Sequence, residues 1–323
     1  PPVRALVLSV CLLTACSTAP APDAGPGTTS SMTTVPVATT AVVTTTTEPA
    51  DGASVGVPTT PAGLVASTSS GVMVAIRAEG GGRAIVATPC NASAVLSDED
   101  LTRIGPVDVV IDPGHGGKVE TGAVGRNGLR EADLNLAVAL RLEAVLAERG
   151  ISSVLTRYDD YRMAIAARVE LTAAASPRLF VSVHHNAGDI SPSDVPGTVV
   201  FHQVDDEESA RAAALLYEEL VAALGSLEVA WVASNPPGAV AAIRGSDGLD
   251  AYGVLRRNYP IPAVLTEAMF LQNPPEAELL ATDDVQQLEA VALADGIERF
   301  LATDDAGSGR YEPLVYNFPV SST

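Results

Sequence analysis

Hydrophobic and polar positions follow two different patterns along the second two-thirds of this chain. Short continuous apolar runs, typical of strands buried on both faces, are separated by longer segments in which apolar residues recur every three or four positions, as in helices. This alternation predicts an α/β fold with a central, mostly parallel sheet flanked by helices on both faces. The predicted strands lie at 107–111, 151–156, 179–183, 197–201 and 262–266, and the predicted helices at 131–149, 162–175, 207–224 and 285–301.

A small β-rich segment is predicted at 63–104, before the first of these strands. Two short β-prone runs, at 72–76 and 84–87, flank three consecutive glycines at 80–82. Glycine tolerates the backbone angles of a tight turn, so this order predicts a β-hairpin. The pattern gives the segment no function.

The remaining segments are predicted from their composition. Residues 17–62 are rich in Thr, Pro, Ala and Ser and hold few large apolar side chains. Such a segment cannot offset the entropy lost on ordering, so we expect a disordered linker. We expect one catalytic domain at 105–302 and a loosely ordered C-terminal tail at 303–323.

The N-terminal residues resemble an export signal. Arg4 precedes an apolar run at 5–13 that is too short to cross a bilayer comfortably. The following Leu-Thr-Ala-Cys at 13–16 resembles the lipobox of bacterial lipoproteins, which predicts a signal peptide at 1–16 and a lipid anchor on Cys16. An ordinary cleaved signal with a stray cysteine is the alternative. Either way we expect an exported protein of the cell envelope.

Charge and cysteine content narrow the class of protein. The chain has 323 residues, of which 47% are hydrophobic, and a net charge of -20. This hydrophobic content is enough for one large core. The negative charge argues against a nucleic-acid partner, because phosphate binding needs Lys and Arg. We expect a monomer whose membrane contact is limited to the anchor. Of the three cysteines, Cys90 is expected to be a small core residue without a partner.

Three segments that can carry metal chemistry begin where apolar strands end. His115 lies in Asp-Pro-Gly-His-Gly-Gly at 112–117, Glu131 opens a predicted helix, and His184 lies in Ser-Val-His-His-Asn at 182–186. Two histidines and one carboxylate are a sensible zinc triad with positions left for water and substrate. Neighbouring residues of a strand point to opposite sides, so only one of His184 and His185 should face such a site. Alternatively, Glu131 is simply an acid stabilised by a helix N-terminus.

Glu267 is a fourth candidate. It ends the apolar run Ala-Val-Leu-Thr at 263–266, where an acid is costly to bury without a role. The alternative is a carboxylate that caps a turn or pairs with an arginine. His202, the last of the four histidines, has no glycine or acid beside it and is expected at the surface or just behind a site.

Taken in this order, the four segments resemble the zinc-dependent N-acetylmuramoyl-L-alanine amidases of the amidase-3 type. The resemblance implies that zinc is bound by His115, Glu131 and His184, and that Glu267 is catalytic. It implies hydrolysis of the amide bond between N-acetylmuramic acid and L-alanine in peptidoglycan or muropeptides. The segments at 155–157 and 168–170 also look like parts of that family, whereas His185 stands where the family has a small residue.

Other functions remain open on the sequence alone. The same triad could serve another zinc peptidoglycan hydrolase, such as a peptidase or a deacetylase. A non-catalytic wall-binding module could retain the fold, although such a module should have lost a ligand or the general base. The Gly-His turn could also be a loop that binds no metal.

Overall fold

The computed structural model describes residues 64–188, 190–233 and 237–316. The predicted signal peptide at 1–16, with Cys16, and the predicted linker at 17–62 lie outside the described residues. Among the helices of the described ranges, none combines the length and the apolar character that a bilayer crossing requires.

The described residues form six α-helices, one short 3-10 helix (Asp98–Asp100) and fourteen strands. The helices are α1 (Glu131–Glu148), α2 (Ile165–Ala175), α3 (Glu207–Leu224), α4 (Gly253–Asn258), α5 (Pro274–Leu280) and α6 (Asp283–Ala302). The first seven strands are β1 (Val65–Thr68), β2 (Met73–Gly80), β3 (Arg83–Ala87), β4 (Ser93–Ser97), β5 (Leu101–Ile104), β6 (Val109–Pro113) and β7 (Ser153–Leu155). The others are β8 (Leu179–Asn186), β9 (Ser191–Pro192), β10 (Val199–His202), β11 (Val232–Ala233), β12 (Gly238–Arg244), β13 (Ala263–Phe270) and β14 (Leu314–Tyr316).

A seven-stranded sheet forms the centre of the molecule, in the order β14-β12-β10-β13-β8-β6-β7. Within this sheet, β10 and β13 pair antiparallel and the other neighbouring strands pair parallel. The predicted mostly parallel sheet is therefore confirmed. Strand β12 was not predicted, because its neighbourhood is rich in glycine and proline and has the composition of a loop.

Helices cover both faces of this sheet, as predicted. Val109 and Ile111 of β6 pack toward α1, α3 and α6. The intervening Val110 packs with Phe180 of β8 toward α2 and α4 on the opposite face. Strands buried on both faces read as continuous apolar runs, because alternate side chains enter different cores.

The predicted small β segment is an antiparallel five-stranded sheet in the order β4-β3-β2-β1-β5. Its hairpin turns through Gly81 and Gly82, which have φ angles of 61° and 74°. Two consecutive positive φ angles are typical of a tight two-residue hairpin, which explains the glycines. The apolar side chains of this sheet belong to the same core as α2 and α4, so the segment is packed onto the central sheet.

Two expectations, one about the C-terminal tail and one about Cys90, are wrong. Residues 303–316 of the tail are ordered, because β14 pairs with β12 at the sheet edge and Tyr311 packs against Gly238. A three-residue strand has too little pattern to be recognised without its partner. Cys90 is half-buried and takes part in a disulfide bond, so it is not an unpartnered core residue. The boundaries proposed for the domains stay predictions.

Candidate metal centre

The candidate site lies at the carboxyl ends of three adjacent parallel strands, where open α/β sheets commonly bind ligands. His115 follows β6, His184 is near the end of β8, and Glu267 is in β13. Strand pairing places Glu267 beside His184 and Asp112 beside Ser182. The sheet order thus brings together segments that are more than 150 residues apart in the sequence.

One oxygen of Glu131 lies between the two histidines. Its Oε1 is 3.2 Å from Nε2 of His115 and 3.0 Å from Nδ1 of His184. The two imidazole rings meet edge to face, with their centroids 4.9 Å apart. All three potential ligand atoms lie within 4.8 Å of one another, and this is the one group of that kind found among the described residues.

Glu131 is held as an ionised carboxylate. It is the first residue of α1, where the helix dipole favours a negative charge. Its Oε2 accepts a hydrogen bond from the backbone N–H of Ala123 at 2.8 Å. Burial by itself raises the pKa of this carboxyl, but the contacts with His115 and His184 outweigh burial and hold the pKa well below its usual range.

The glycines around His115 leave room for the ligands. A Cβ at Gly114 would lie 2.2 Å from the ring of His184, and a Cβ at Gly122 would lie 2.4 Å from Oε2 of Glu131. His115 itself has a φ of 60°, in the left-handed region that non-glycine residues rarely adopt. Strain of this kind persists only where the surrounding structure fixes it.

Two buried arginines fix the backbone of this turn. Arg157 donates to the carbonyl of Pro113 through Nε and to that of Gly114 through Nη2, both at 3.0 Å. Arg168 donates to Pro113 at 2.9 Å and to the carbonyl of His115 at 2.7 Å. Burial, followed by the charge of Arg168, lowers the pKa of Arg157 to about 10, so it stays protonated at neutral pH.

Asp112 balances the charge of these arginines beneath the turn. Its buried carboxylate accepts hydrogen bonds from Arg168, from Thr156 at 2.5 Å and from Ser182 at 2.8 Å. Burial raises the pKa of Asp112, but the positive charge of Arg168 and these hydrogen bonds outweigh burial, so the pKa is lowered. The first residue of the Asp-Pro-Gly-His motif therefore supports the turn and does not face the candidate site.

Glu267 has a different environment from the other acids. Its Oε2 is buried and has no hydrogen-bond partner among the described residues. Burial, followed by the negative charge of Glu131, raises the pKa of Glu267 well above the usual range of a glutamate. A carboxyl group with a raised pKa beside a metal-binding cluster has the properties of a general acid or base.

The cluster fits a zinc ion. In tetrahedral coordination with bonds of about 2.1 Å, neighbouring ligand atoms stand about 3.4 Å apart. The distances of 3.2 and 3.0 Å from Glu131 to the two histidines are close to that spacing. Three protein ligands leave the fourth position open, as catalytic zinc sites require. Burial and the charge of His115 lower the pKa of His184, and together they outweigh the contact with Glu131, which raises it; the lowered pKa favours the neutral ring that binds metal.

Comparison with known proteins agrees with this geometry. The family model described as N-acetylmuramoyl-L-alanine amidase, Amidase_3, matches residues 109–299. The chain belongs to this amidase family. A relative from Bacillus subtilis, the uncharacterized protein YqiI, is 34% identical over 221 residues, which cover 68% of this chain and 93% of that protein.

Two further relatives are named as N-acetylmuramoyl-L-alanine amidases. The N-acetylmuramoyl-L-alanine amidase AmiA of Escherichia coli K12 is 30% identical over 217 residues, covering 58% of this chain and 74% of AmiA. The solved structure of the amidase AmiC2 of Nostoc punctiforme superposes with a TM-score of 0.50 at 30% identity and covers 60% of this chain and 97% of that one. The predicted family, fold class and amidase activity are confirmed.

In this amidase, the side chains of the neighbouring residues His184 and His185 point to opposite sides of β8, as predicted. His184 joins the cluster, whereas His185 points to the opposite face, where its ring is buried between Asn135 and Glu289. His202 lies outside the cluster; it is half-buried, with its Nδ1 2.9 Å from the carbonyl of Gln203, and burial lowers its pKa.

Sequence reasoning missed the residues that support the site. The family resemblance marked the segments that contain Arg157 and Arg168 but gave neither arginine a role. Asn135 and Glu289 carried no signal, because a polar residue on a helix resembles any solvent-facing position until the helix is packed.

Proposed function

We propose that this amidase cleaves the bond between N-acetylmuramic acid and L-alanine in peptidoglycan or muropeptides, with zinc bound by His115, Glu131 and His184 and with Glu267 as general base. The observation that carries the proposal is the convergence of three ligand atoms within 4.8 Å beside a buried carboxyl oxygen that has no partner among the described residues. When bound there, zinc would acidify water and polarise the scissile carbonyl.

Glu267 handles the protons in this proposal. Its carboxylate accepts a proton from the attacking water, whose oxygen bonds to the lactyl carbonyl carbon. As the carbon–nitrogen bond breaks, the protonated Glu267 gives that proton to the leaving nitrogen of L-alanine. The raised pKa of Glu267 supports the first step, because it makes the carboxylate a stronger proton acceptor than that of an ordinary glutamate.

The ligands are prepared for the ion by the chain itself. Glu131 supplies the one negative charge, and the backbone N–H of Ala123 fixes the direction of its carboxylate. Arg157 and Arg168 hold the carbonyls of the His115 turn, which fixes the backbone from which the ring of His115 reaches the site. Such preorganisation supports catalysis because it avoids reordering of the site during the reaction.

Product analysis tests the proposal. Purified peptidoglycan is digested with the full chain, and the new chain ends are identified with and without a chelator. An amidase releases free L-alanine amines and leaves the glycan strands intact, and the chelator should stop this release. New amines within the stem peptide would indicate a peptidase, free amino sugars would indicate a deacetylase, and no products would indicate a wall-binding module.

The cellular setting is part of the same proposal. Peptidoglycan lies outside the cytoplasmic membrane, which supports export, a location in the cell envelope and the predicted anchor on Cys16. Fatty-acid labelling of the wild-type chain and of Cys16→Ala tests the anchor, and loss of label in the variant is expected. The sulfur of a lipidated cysteine is blocked and cannot form a disulfide. Non-reducing peptide mapping is therefore the control, because it identifies the cysteine that is bonded to Cys90. Light scattering tests the predicted monomer.

A further inference from the structure

A chain of buried polar side chains leads from the candidate ligand Glu131 to the last helix. Nδ2 of Asn135 donates to Oε1 of Glu131 at 3.4 Å and to the carbonyl of Gly114 at 3.3 Å. Oδ1 of the same amide lies 2.8 Å from Nδ1 of His185, and Nε2 of His185 lies 3.0 Å from Oε2 of Glu289. Glu289 is in α6, more than 150 residues from Glu131 along the sequence.

These side chains are removed from water. Asn135 and Glu289 are 0% exposed and His185 is 1% exposed. Buried polar groups are costly unless each finds a partner, and a histidine–glutamate pair inside a largely apolar core is unusual. The arrangement therefore needs an explanation beyond packing, because an apolar residue of similar volume would fill the same space at no such cost.

Hydrogen-bond donors and acceptors fix the direction of the Asn135 amide. Its NH₂ group faces two acceptors, the Glu131 carboxylate and the Gly114 carbonyl, so its oxygen faces His185. Nδ1 of His185 must then donate. Oε2 of Glu289 lies 3.0 Å from Nε2 on the other side of the ring, so Glu289 holds the His185 ring with its Nδ1 facing Asn135.

We infer that His185 and Glu289 act as positioning residues for zinc binding, because they lock the amide of Asn135 in the orientation that holds Glu131. The oxygen that Asn135 contacts is the Oε1 atom that lies between His115 and His184. If the amide were reversed, its own oxygen would face the Glu131 carboxylate and repel it. The inference rests on the proposed function.

Three variants of the full chain separate positioning from simple stability. H185A/E289L removes the donor together with the buried acid, so no charge is left unpaired in the core. E289Q keeps the contact, because the glutamine NH₂ can donate to Nε2 while Nδ1–H stays on Asn135. I297A is the control: Ile297 is buried two turns further along α6 and belongs to the apolar core. Zinc affinity is measured by competition with a chromophoric chelator, beside Tm, kcat and KM on a muropeptide.

The inference predicts a specific pattern across the variants. H185A/E289L should bind zinc about 10- to 100-fold more weakly, the usual effect of losing a group that orients a metal ligand. Its kcat at limiting zinc should fall while KM stays unchanged. E289Q should remain near wild type in zinc affinity, and I297A should lose Tm without losing zinc affinity.

Two results would overturn the inference. One is wild-type zinc affinity in H185A/E289L. The other is a loss of affinity in I297A that follows Tm in the same way, since simple destabilisation would then explain every variant. A wild-type chain that binds no zinc would remove the proposed function itself, whereas normal zinc binding by the wild type and by the double variant would remove this inference alone.

Discussion

The two larger sheets formed by the described residues are built in opposite ways. In the five-stranded sheet, Val74 and Ile76 are fully buried in an apolar core, and the tight turn is made with glycines at positive φ. At the carboxyl edge of the central sheet, a non-glycine residue, His115, occupies a left-handed backbone position, and Glu267 buries an oxygen for which the described part of the chain offers no hydrogen-bond partner. The first region is arranged for stability, and the second retains strain and buried charge, which is typical of functional sites.

The five-stranded sheet nevertheless contacts the segments that support the candidate metal centre. Arg77 of β2 binds both carboxylate oxygens of Glu170 at 2.7 Å, and the backbone N–H of Met73 donates to the Tyr161 hydroxyl at 3.2 Å. Glu170 lies on α2, the helix that carries Arg168. The five-stranded sheet therefore supports the helix and the loop that hold the turn of His115. A stable region supports a strained one, and substitutions should separate the two contributions.

The largest expected effect follows from removing a candidate ligand. In His115→Ala, zinc loses one of three ligands, so zinc binding and turnover should both fall below detection while the chain still folds. Zinc content and muropeptide hydrolysis check this. The matched change in the other region is Ile76→Ala, which should lower the free energy of unfolding by about 2–5 kcal/mol and leave zinc content intact. Full activity in His115→Ala would show that the site lies elsewhere.

Glu267→Gln separates catalysis from metal binding. The amide cannot accept a proton from water, so kcat should fall by about 10²- to 10⁴-fold, while zinc content stays at the wild-type level. The free energy of unfolding should not decrease, because the raised pKa shows that the ionised carboxylate is unfavourable where it lies. Single-turnover hydrolysis and thermal unfolding of chelated protein check both parts. Retained turnover would remove Glu267 from the proposed mechanism.

Arg168→Met tests the support of the turn. The change leaves Asp112 buried without its ion-pair partner, and loss of one partner of a buried pair costs about 3–5 kcal/mol. It also releases the carbonyls of Pro113 and His115, so zinc affinity should fall too. Arg103→Met is the control, because Arg103 forms its ion pairs with the partly exposed acids Glu79 and Asp98 in the five-stranded sheet. If both variants lose zinc affinity equally, the turn is not held by Arg168.

The smallest effect is expected at Asp250, a buried acid outside the cluster. Burial raises the pKa of Asp250 to about 6. An acid with a raised pKa in the folded state contributes stability below its unfolded pKa of about 3.9, and this contribution is lost as the pH rises through about 6.

Asp250→Asn cannot titrate, and its side-chain oxygen can still accept from the backbone N–H of Val204. The free energy of unfolding of the variant minus that of the wild type should therefore be higher at pH 8 than at pH 4, by on the order of 1–2 kcal/mol. Denaturant unfolding at both pH values measures this, and a difference that does not depend on pH would contradict it. Zinc content should not change, because this acid lies outside the cluster.

The sequence was enough to predict the strands that carry the site. Continuous apolar runs marked β6, β8 and β13, and the chemistry-bearing residues directly after or within them could be found because parallel strands align their carboxyl ends. His184 could be separated from His185 by strand alternation alone. The α/β class and the helices on both faces followed from the same periodicity.

Contacts between distant segments could not be predicted. The hold of Arg157 and Arg168 on the turn depends on how α2 and its preceding loop pack, and no local pattern encodes that packing. The same is true of His185, whose partners come from α1 and α6. Strand β14 is ordered by its pairing with β12, so its three residues alone resembled a tail.

Anomalous diffraction at the zinc absorption edge, from crystals of the full chain, tests directly whether the cluster binds zinc. We predict one strong peak that is bonded to Nε2 of His115, Oε1 of Glu131 and Nδ1 of His184 at about 2.0–2.2 Å. A chain that shows no peak there, with the three side chains paired only with one another, would contradict the metal centre on which the proposed hydrolysis depends.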